Sequence, residues 1–209
     1  MRGAFITLEG VEGVGKSTNM AFVTATLRAR GLDVVTTREP GGTPFGEQLR
    51  SWILDGDHGQ LSAEVETLLM FAARAHHLEH VIRPALAAGQ WVVCDRFTDA
   101  TFAYQGGGRG ASENWLRALR AEIQRGVEPD LTLLLDAPLD VDRERIAARV
   151  PDHFEREQQP FFERVRSVYL RLAAEEPERI KVVDAARPLA EVQQQITVEL
   201  RQLLARRKP

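Results

Sequence analysis

The sequence has almost no cysteine, no long apolar run and no strong excess of either charge. Its single cysteine, Cys94, has no partner for an internal disulfide, so crosslinks do not hold this fold. Cys94 ends the apolar run Trp91-Val92-Val93-Cys94, where a small buried strand residue is expected, and no histidine stands near it in sequence to make it a nucleophile. No stretch of twenty apolar residues occurs, which excludes a helical membrane span, and a strand pattern begins within four residues of Met1, against a signal peptide. The cytoplasm is the expected location. With 27 Lys and Arg against 30 Asp and Glu the net charge is −3, so a general nucleic-acid-binding surface, which needs a basic excess, is not expected. Internal repeats, linkers and low-complexity tracts are missing too. What remains is 209 residues, 44% hydrophobic and 27% charged, which suits one globular domain, residues 1–209, with an enclosed core.

One stretch organises the rest. Gly10-Val11-Glu12-Gly13-Val14-Gly15-Lys16-Ser17 fits the pattern G-x-x-x-x-G-K-[ST] at every fixed position, and Thr18 follows it. Residues 4–8 read as a buried strand and 17–30 as a helix, which is the context the pattern requires. Gly10, Gly13 and Gly15 let successive backbone N–H groups converge on one point, and the helix behind them aims its positive end there. Together these features hold phosphate oxygens. Lys16 would reach the β- and γ-phosphates, and the Ser17 hydroxyl would hold a magnesium ion. A bare glycine turn would not need both Lys16 and Ser17.

The remaining chain alternates strands and helices. Strands are expected at 32–37, 91–94, 131–136 and 180–184, with helices at 44–54, 62–88, 112–124, 140–148, 160–174 and 188–205. Pro84 is expected to end or kink the helix begun at Ser62. This pattern implies a doubly wound, five-stranded parallel sheet flanked by helices. Several strand ends carry charge: Arg38-Glu39 before Pro40-Gly41-Gly42, Asp95-Arg96, and Asp136. Ligands of such sheets sit outside the carboxyl ends of the strands. Asp95 suits magnesium and Arg96 a substrate phosphate, with a sheet-capping ion pair as the alternative. Asp136 either ends the fourth strand as a phosphate-site acid or starts the next helix. Met70, Phe71 and Arg74 share neighbouring helical turns, so an apolar surface and a cation could face one pocket. His76, His77 and His80 lack cysteine or carboxylate partners at metal-ligand spacing. Gly106 to Gly110 reads as flexible chain and Arg206-Arg207-Lys208 as a frayed tail. Basic residues around the break at 150–156 suit a lid at about 149–160 that closes over a triphosphate. No Asn-Lys-x-Asp guanine motif occurs, and the chain is short for a motor or helicase, which leaves a small kinase.

Five motifs in order make the resemblance specific: E-G-V-E-G-V-G-K-S-T from Glu9, T-R-E-P-G-G-T from Thr37, D-R-F from Asp95, A-Y-Q-G-G-G-R-G from Ala103 and P-D-L-T-L-L-L-D from Pro129. With them the chain resembles the bacterial thymidylate kinases, P-loop nucleoside monophosphate kinases, across nearly its whole length. The resemblance implies transfer from ATP to dTMP, giving ADP and dTDP, with magnesium, in a homodimer. It also implies that Glu12 faces the nucleotide sugar, that Arg38 and Arg96 lie near the dTMP phosphate, and that Arg74 contacts the base. Thr101, Tyr104 and Gln105 match residues around base and sugar. The base-stacking Phe of the family falls on Met70, with Phe71 one place later, so either packs the thymine. Val14 stands where some relatives carry a loop Arg, which resembles the subgroup with its catalytic cation in the lid. His153 occupies the usual lid Arg position, so Arg149 and Arg156 are the candidate cations. In-line phosphoryl transfer needs no general base here, because the acceptor phosphate is already ionised.

Overall fold

A computed structural model describes residues 2–54, 61–139, 154 and 157–207. Its sheet contains β1 (Phe5–Glu9), β2 (Val34–Arg38), β3 (Trp91–Asp95), β4 (Leu131–Asp136) and β5 (Ile180–Asp184) in the order β2-β3-β1-β4-β5. Every pairing is parallel, with Leu8 beside Asp95 and Glu9 beside Leu134. This is the doubly wound sheet the alternating pattern implies. The central strand β1 is buried throughout, as a strand covered on both faces must be. Its side chains alternate between two cores. Phe5 packs with Cys94, Leu78, Ile82, Leu86 and Phe97, whereas Ile6 and Leu8 belong to the larger cluster with Val23, Leu27, Ile196 and Leu200. Several polar side chains within the sheet are paired. The Thr7 and Thr132 hydroxyls lie 2.8 Å apart on neighbouring strands, and Arg179 bonds both Thr132 and Asp99.

The helices are α1 (Lys16–Arg28), α2 (Pro44–Leu54), α3 (Ala63–His77), α4 (Arg83–Ala87), α5 (Thr98–Thr101), α6 (Glu113–Gln124), α7 (Gln159–Glu175) and α8 (Leu189–Arg206). Ser62 caps α3, its side chain accepting from the Val65 N–H. The helix expected to run from 62 to 88 is interrupted by a wide turn, Leu78–Ile82, in which the Arg83 N–H bonds back to the Leu78 carbonyl. Pro84 follows at once, with no N–H to continue the normal ladder.

Two expectations need correction. The glycines from Gly106 are not flexible chain: Phe102–Gly108 is a second wide-helical segment pressed against α7. A Cβ at Gly107 would stand 2.6 Å from Val168 Cγ2, and one at Gly108 would strike the Phe161 ring, so these glycines permit close packing. The basic tail is not frayed at Arg207, which donates to the Asp130 carboxylate at 2.6 Å and to the Arg2 carbonyl at 2.9 Å. Among the described residues no helix is long and apolar enough to cross a membrane.

Candidate active site

The carboxyl end of β1 turns directly into the glycine loop. Gly10, Gly13 and Gly15 all adopt positive φ, and a Cβ on Gly10 would collide with the Leu135 carbonyl oxygen. Val11 and Val14 are buried and anchor the loop, while Ser17 and Thr18 open α1 with exposed side chains. Lys16 curls over its own loop, donating to the Val11 carbonyl at 2.7 Å and the Gly10 carbonyl at 3.1 Å. Loss of water, followed by repulsion from Arg96, pushes its ammonium down to about 8 although Asp95, Glu12 and Glu9 oppose the shift. A polyanion placed here would restore the charge.

The loop faces two cavities. One, of about 480 Å³, is lined by Ser17, Thr37, Arg38, Gly42, Glu47 and Asp95. In it the buried Oδ1 of Asp95 has no hydrogen-bond partner, and Ser17 lines the same cavity. An orphaned carboxylate oxygen and a serine in one cavity form a donor set that fits a hard divalent cation. Asp95 and Arg96 do not cap the sheet as a pair with each other. Arg96 instead takes a left-handed backbone conformation, φ 67°, which turns its side chain away from the strand. Arg38 forms an exposed two-bond pair with Glu47.

The second cavity is lined by Glu12, Glu39, Arg50, Met70, Arg96, Tyr104, Gln105 and Phe154, among others. Arg96 donates to Glu12 at 2.8 Å and to the Tyr169 hydroxyl at 3.1 Å, and lies over the Tyr104 ring. Tyr104 donates to the other Glu12 oxygen at 2.7 Å. Burial would raise the Glu12 carboxyl, but Arg96, Lys16 and Tyr104 outweigh it and hold the group below its ordinary range. Burial likewise opposes charge on Arg96, yet Tyr104 and Glu12 keep its guanidinium firmly protonated. Arg50 is pulled down by burial, then by Arg38 and Arg96. Arg50 and Arg96 thus share this cavity, with Arg38 in the wall of the neighbouring one, and their mutual repulsion favours an incoming phosphate.

Arg74 is wholly buried behind the wall formed by Glu39. It donates to Glu39 at 2.7 Å and to the Thr101 hydroxyl at 2.9 Å, and lies over the Phe71 and Phe97 rings. Met70 lines the pocket, whereas Phe71 supports Arg74 from beneath. One Arg74 amine and the Gln105 Oε1 are buried without partners. Gln105 donates its amide to Glu66 at 2.7 Å, and because a carboxylate only accepts, this fixes the free atom as the carbonyl oxygen. Asp136 forms a two-bond pair with Arg166 of α7, at 2.7 and 2.8 Å.

Sequence reasoning missed several members of this site. Glu9, at the end of β1, accepts from the Phe97 N–H at 2.7 Å and from the Tyr169 hydroxyl at 2.8 Å. Burial, then Asp99, pushes its carboxyl up to about 8, so it carries a proton near neutral pH. Arg50, which lines the cleft, and Glu66, His77 and Tyr169, which bond to residues that line it, also have no local signal, since each comes from a helix whose spacing says only that it is amphipathic. Arg149, Arg156 and His153, together with most of the lid at about 149–160, lie outside the described residues. Phe154, within the same segment, is buried against Tyr104, and Arg109 pairs with Glu157.

A glycine-built anion cradle facing arginines from the ends of neighbouring parallel strands defines a phosphate-loop nucleotide kinase. The family can be stated more closely. A model of the thymidylate kinase family matches residues 8–196, and the chain belongs to that family. It is 59% identical to a thymidylate kinase of Methylococcus capsulatus, over 97% of both chains, and 53% identical to one of Pseudomonas savastanoi over the full length of both. A crystal structure of thymidylate kinase from Ehrlichia chaffeensis superposes with a TM-score of 0.76 at 30% identity, covering 96% of this chain and 99% of the other.

Proposed function

We propose that the chain catalyses phosphoryl transfer from ATP to dTMP, giving ADP and dTDP, and so acts as a thymidylate kinase. Family membership carries the reaction, and one observation favours this acceptor. Thymine presents a carbonyl beside a ring N–H, whereas cytosine presents an amino group beside a bare ring nitrogen. The free Arg74 amine is a donor and the free Gln105 oxygen an acceptor, which complements thymine and leaves cytosine with two mismatches. Met70 packs the base, Thr101 and Tyr104 border base and sugar, and Glu12 faces the sugar.

Arg96, Arg38 and Arg50 hold the acceptor phosphate, while the backbone of residues 10–18 and Lys16 hold the donor. Transfer then needs alignment and charge neutralisation. Ser17 and Asp95 would hold magnesium, which supplies positive charge to the donor phosphates when bound. Arg149 or Arg156 adds a cation as the lid closes. The cytoplasm, where ATP is abundant, is the location that suits this reaction. The exposed apolar side chains Trp52, Val65 and Leu68 of α2 and α3 support a homodimer, which sedimentation would reveal.

A coupled ADP-release assay with dTMP, dUMP, CMP and thymidine tests the reading. Preference for dTMP is expected. ATP binding without ADP release for any acceptor would leave only a nucleotide-binding regulator.

A further inference from the structure

Arg74 does not hold itself in place. Its Nε donates to Oε2 of Glu39, and the other Glu39 oxygen faces Nδ1 of His77 at 2.9 Å. The His77 ring is fully buried, and its Nε2 lies 2.6 Å from the Thr37 hydroxyl. Since the Glu39 carboxylate only accepts, Nδ1 carries the ring proton, and in the neutral ring Nε2 accepts from Thr37. The loop between β2 and α2 is shaped around this ring: a Cβ on Gly42 would strike His77, and Gly42 adopts φ +75°. Neighbouring His76 approaches Thr43 of the same loop at 3.1 Å. The series Thr37, His77, Glu39, Arg74 therefore links Thr37, in the wall of the cavity containing Ser17, to Glu39, in the wall of the acceptor pocket, with the Arg74 side chain buried behind it.

We infer that His77 is a positioning residue for acceptor recognition: it fixes the Glu39 carboxylate, and through it the Arg74 amine that meets the base. The inference rests on the dTMP reading above. Without the Nδ1 proton, one buried Glu39 oxygen loses its partner and competes for the remaining Arg74 N–H groups, which draws the free amine away from the pocket. Histidine suits the task because one rigid ring spans the strand hydroxyl and the loop carboxylate together.

Two substitutions separate positioning from general support. His77→Asn keeps an amide donor near the Nδ1 position and still reaches Glu39. His77→Gln moves that donor outward toward Thr37. His77→Gln is expected to raise the KM for dTMP about tenfold, with kcat and the KM for ATP within about twofold of wild type. It should also narrow the preference for dTMP over dCMP, and His77→Asn should recover most of both. Unchanged dTMP kinetics in His77→Gln, or a parallel loss in kcat and both KM values, would overturn the inference. If the variants do not fold, nitrogen NMR of the imidazole in the wild-type protein decides. Addition of dTMP should shift the His77 Nδ1–H signal, and a signal unmoved by saturating dTMP would overturn the role. Failure of the wild-type protein to phosphorylate dTMP would instead refute the acceptor reading itself.

Discussion

On the kinase reading proposed above the donor loop and the acceptor pocket both bind phosphate, yet they are built in opposite ways. The loop is mainly backbone: nine consecutive residues, 10–18, whose glycines take positive φ and whose one cation, Lys16, donates to carbonyls of its own loop, while Glu12 reaches across to Arg96 and Tyr104. The acceptor pocket is side chains from β2 through α7, and nearly every one is already held by another: Arg96 by Glu12 and Tyr169, Arg74 by Glu39 and Thr101, Gln105 by Glu66. A backbone cradle can lose one side chain and keep its shape. A mutually paired pocket cannot, because each removal leaves a buried partner unsatisfied.

The sharpest contrast comes from two charge removals. Lys16→Ala is expected to lower kcat by about 10³-fold, since it deletes charge aimed at the transferring group, while thermal unfolding stays close to wild type. Arg96→Met is expected to lower kcat/KM for dTMP by about 10²-fold and also to cost about 2 kcal/mol of stability, because Glu12 keeps its place with its main partner gone. Denaturant titrations beside the kinetics would check both. Equal stability of the two variants would break the comparison.

A third variant touches no charge. Gly107→Ala drives a methyl group into Val168, so α7 must shift, and a loss of about 2 kcal/mol is expected with a raised KM for dTMP, because α7 carries Tyr169. ATP affinity should not move.

The last effect is one of pH, small over any single pH unit. Glu9 keeps its proton in the folded protein up to about 8, whereas in the unfolded chain it releases it near 4.5. Between those values the folded state binds the extra proton, so raising the pH favours unfolding, by about 1 kcal/mol per pH unit in mid-window. Glu9→Gln should flatten the fall in melting temperature between pH 5 and pH 8, and a slope unchanged from wild type would remove Glu9 as its source.

The same contrast decides what the sequence makes legible. Parallel strands announce themselves as short apolar runs, and the loop announces itself because backbone geometry demands glycine at fixed spacing, so fold and donor site could be read residue by residue. Arg38 and Arg96 stand out in their motifs, and Arg74 through its helical spacing and the family resemblance. Their partners do not. Glu39 lies 35 positions from Arg74, Glu9 lies 160 from Tyr169 and Glu66 lies 39 from Gln105. Pairing across such separations is fixed only when helices dock on the sheet. Gly106–Gly108 misled for a related reason: glycine in isolation marks freedom of the chain, but here it marks the closeness of α7.

The most direct test of the separation between the two halves is calorimetric titration of dTMP into Lys16→Ala. The expected result is dTMP affinity within a few-fold of wild type in a protein that no longer turns over, because the Lys16 hydrogen bonds go to carbonyls of the donor loop. A loss of dTMP affinity as large as the loss of turnover would show that the loop and the pocket form one inseparable site, and would contradict it.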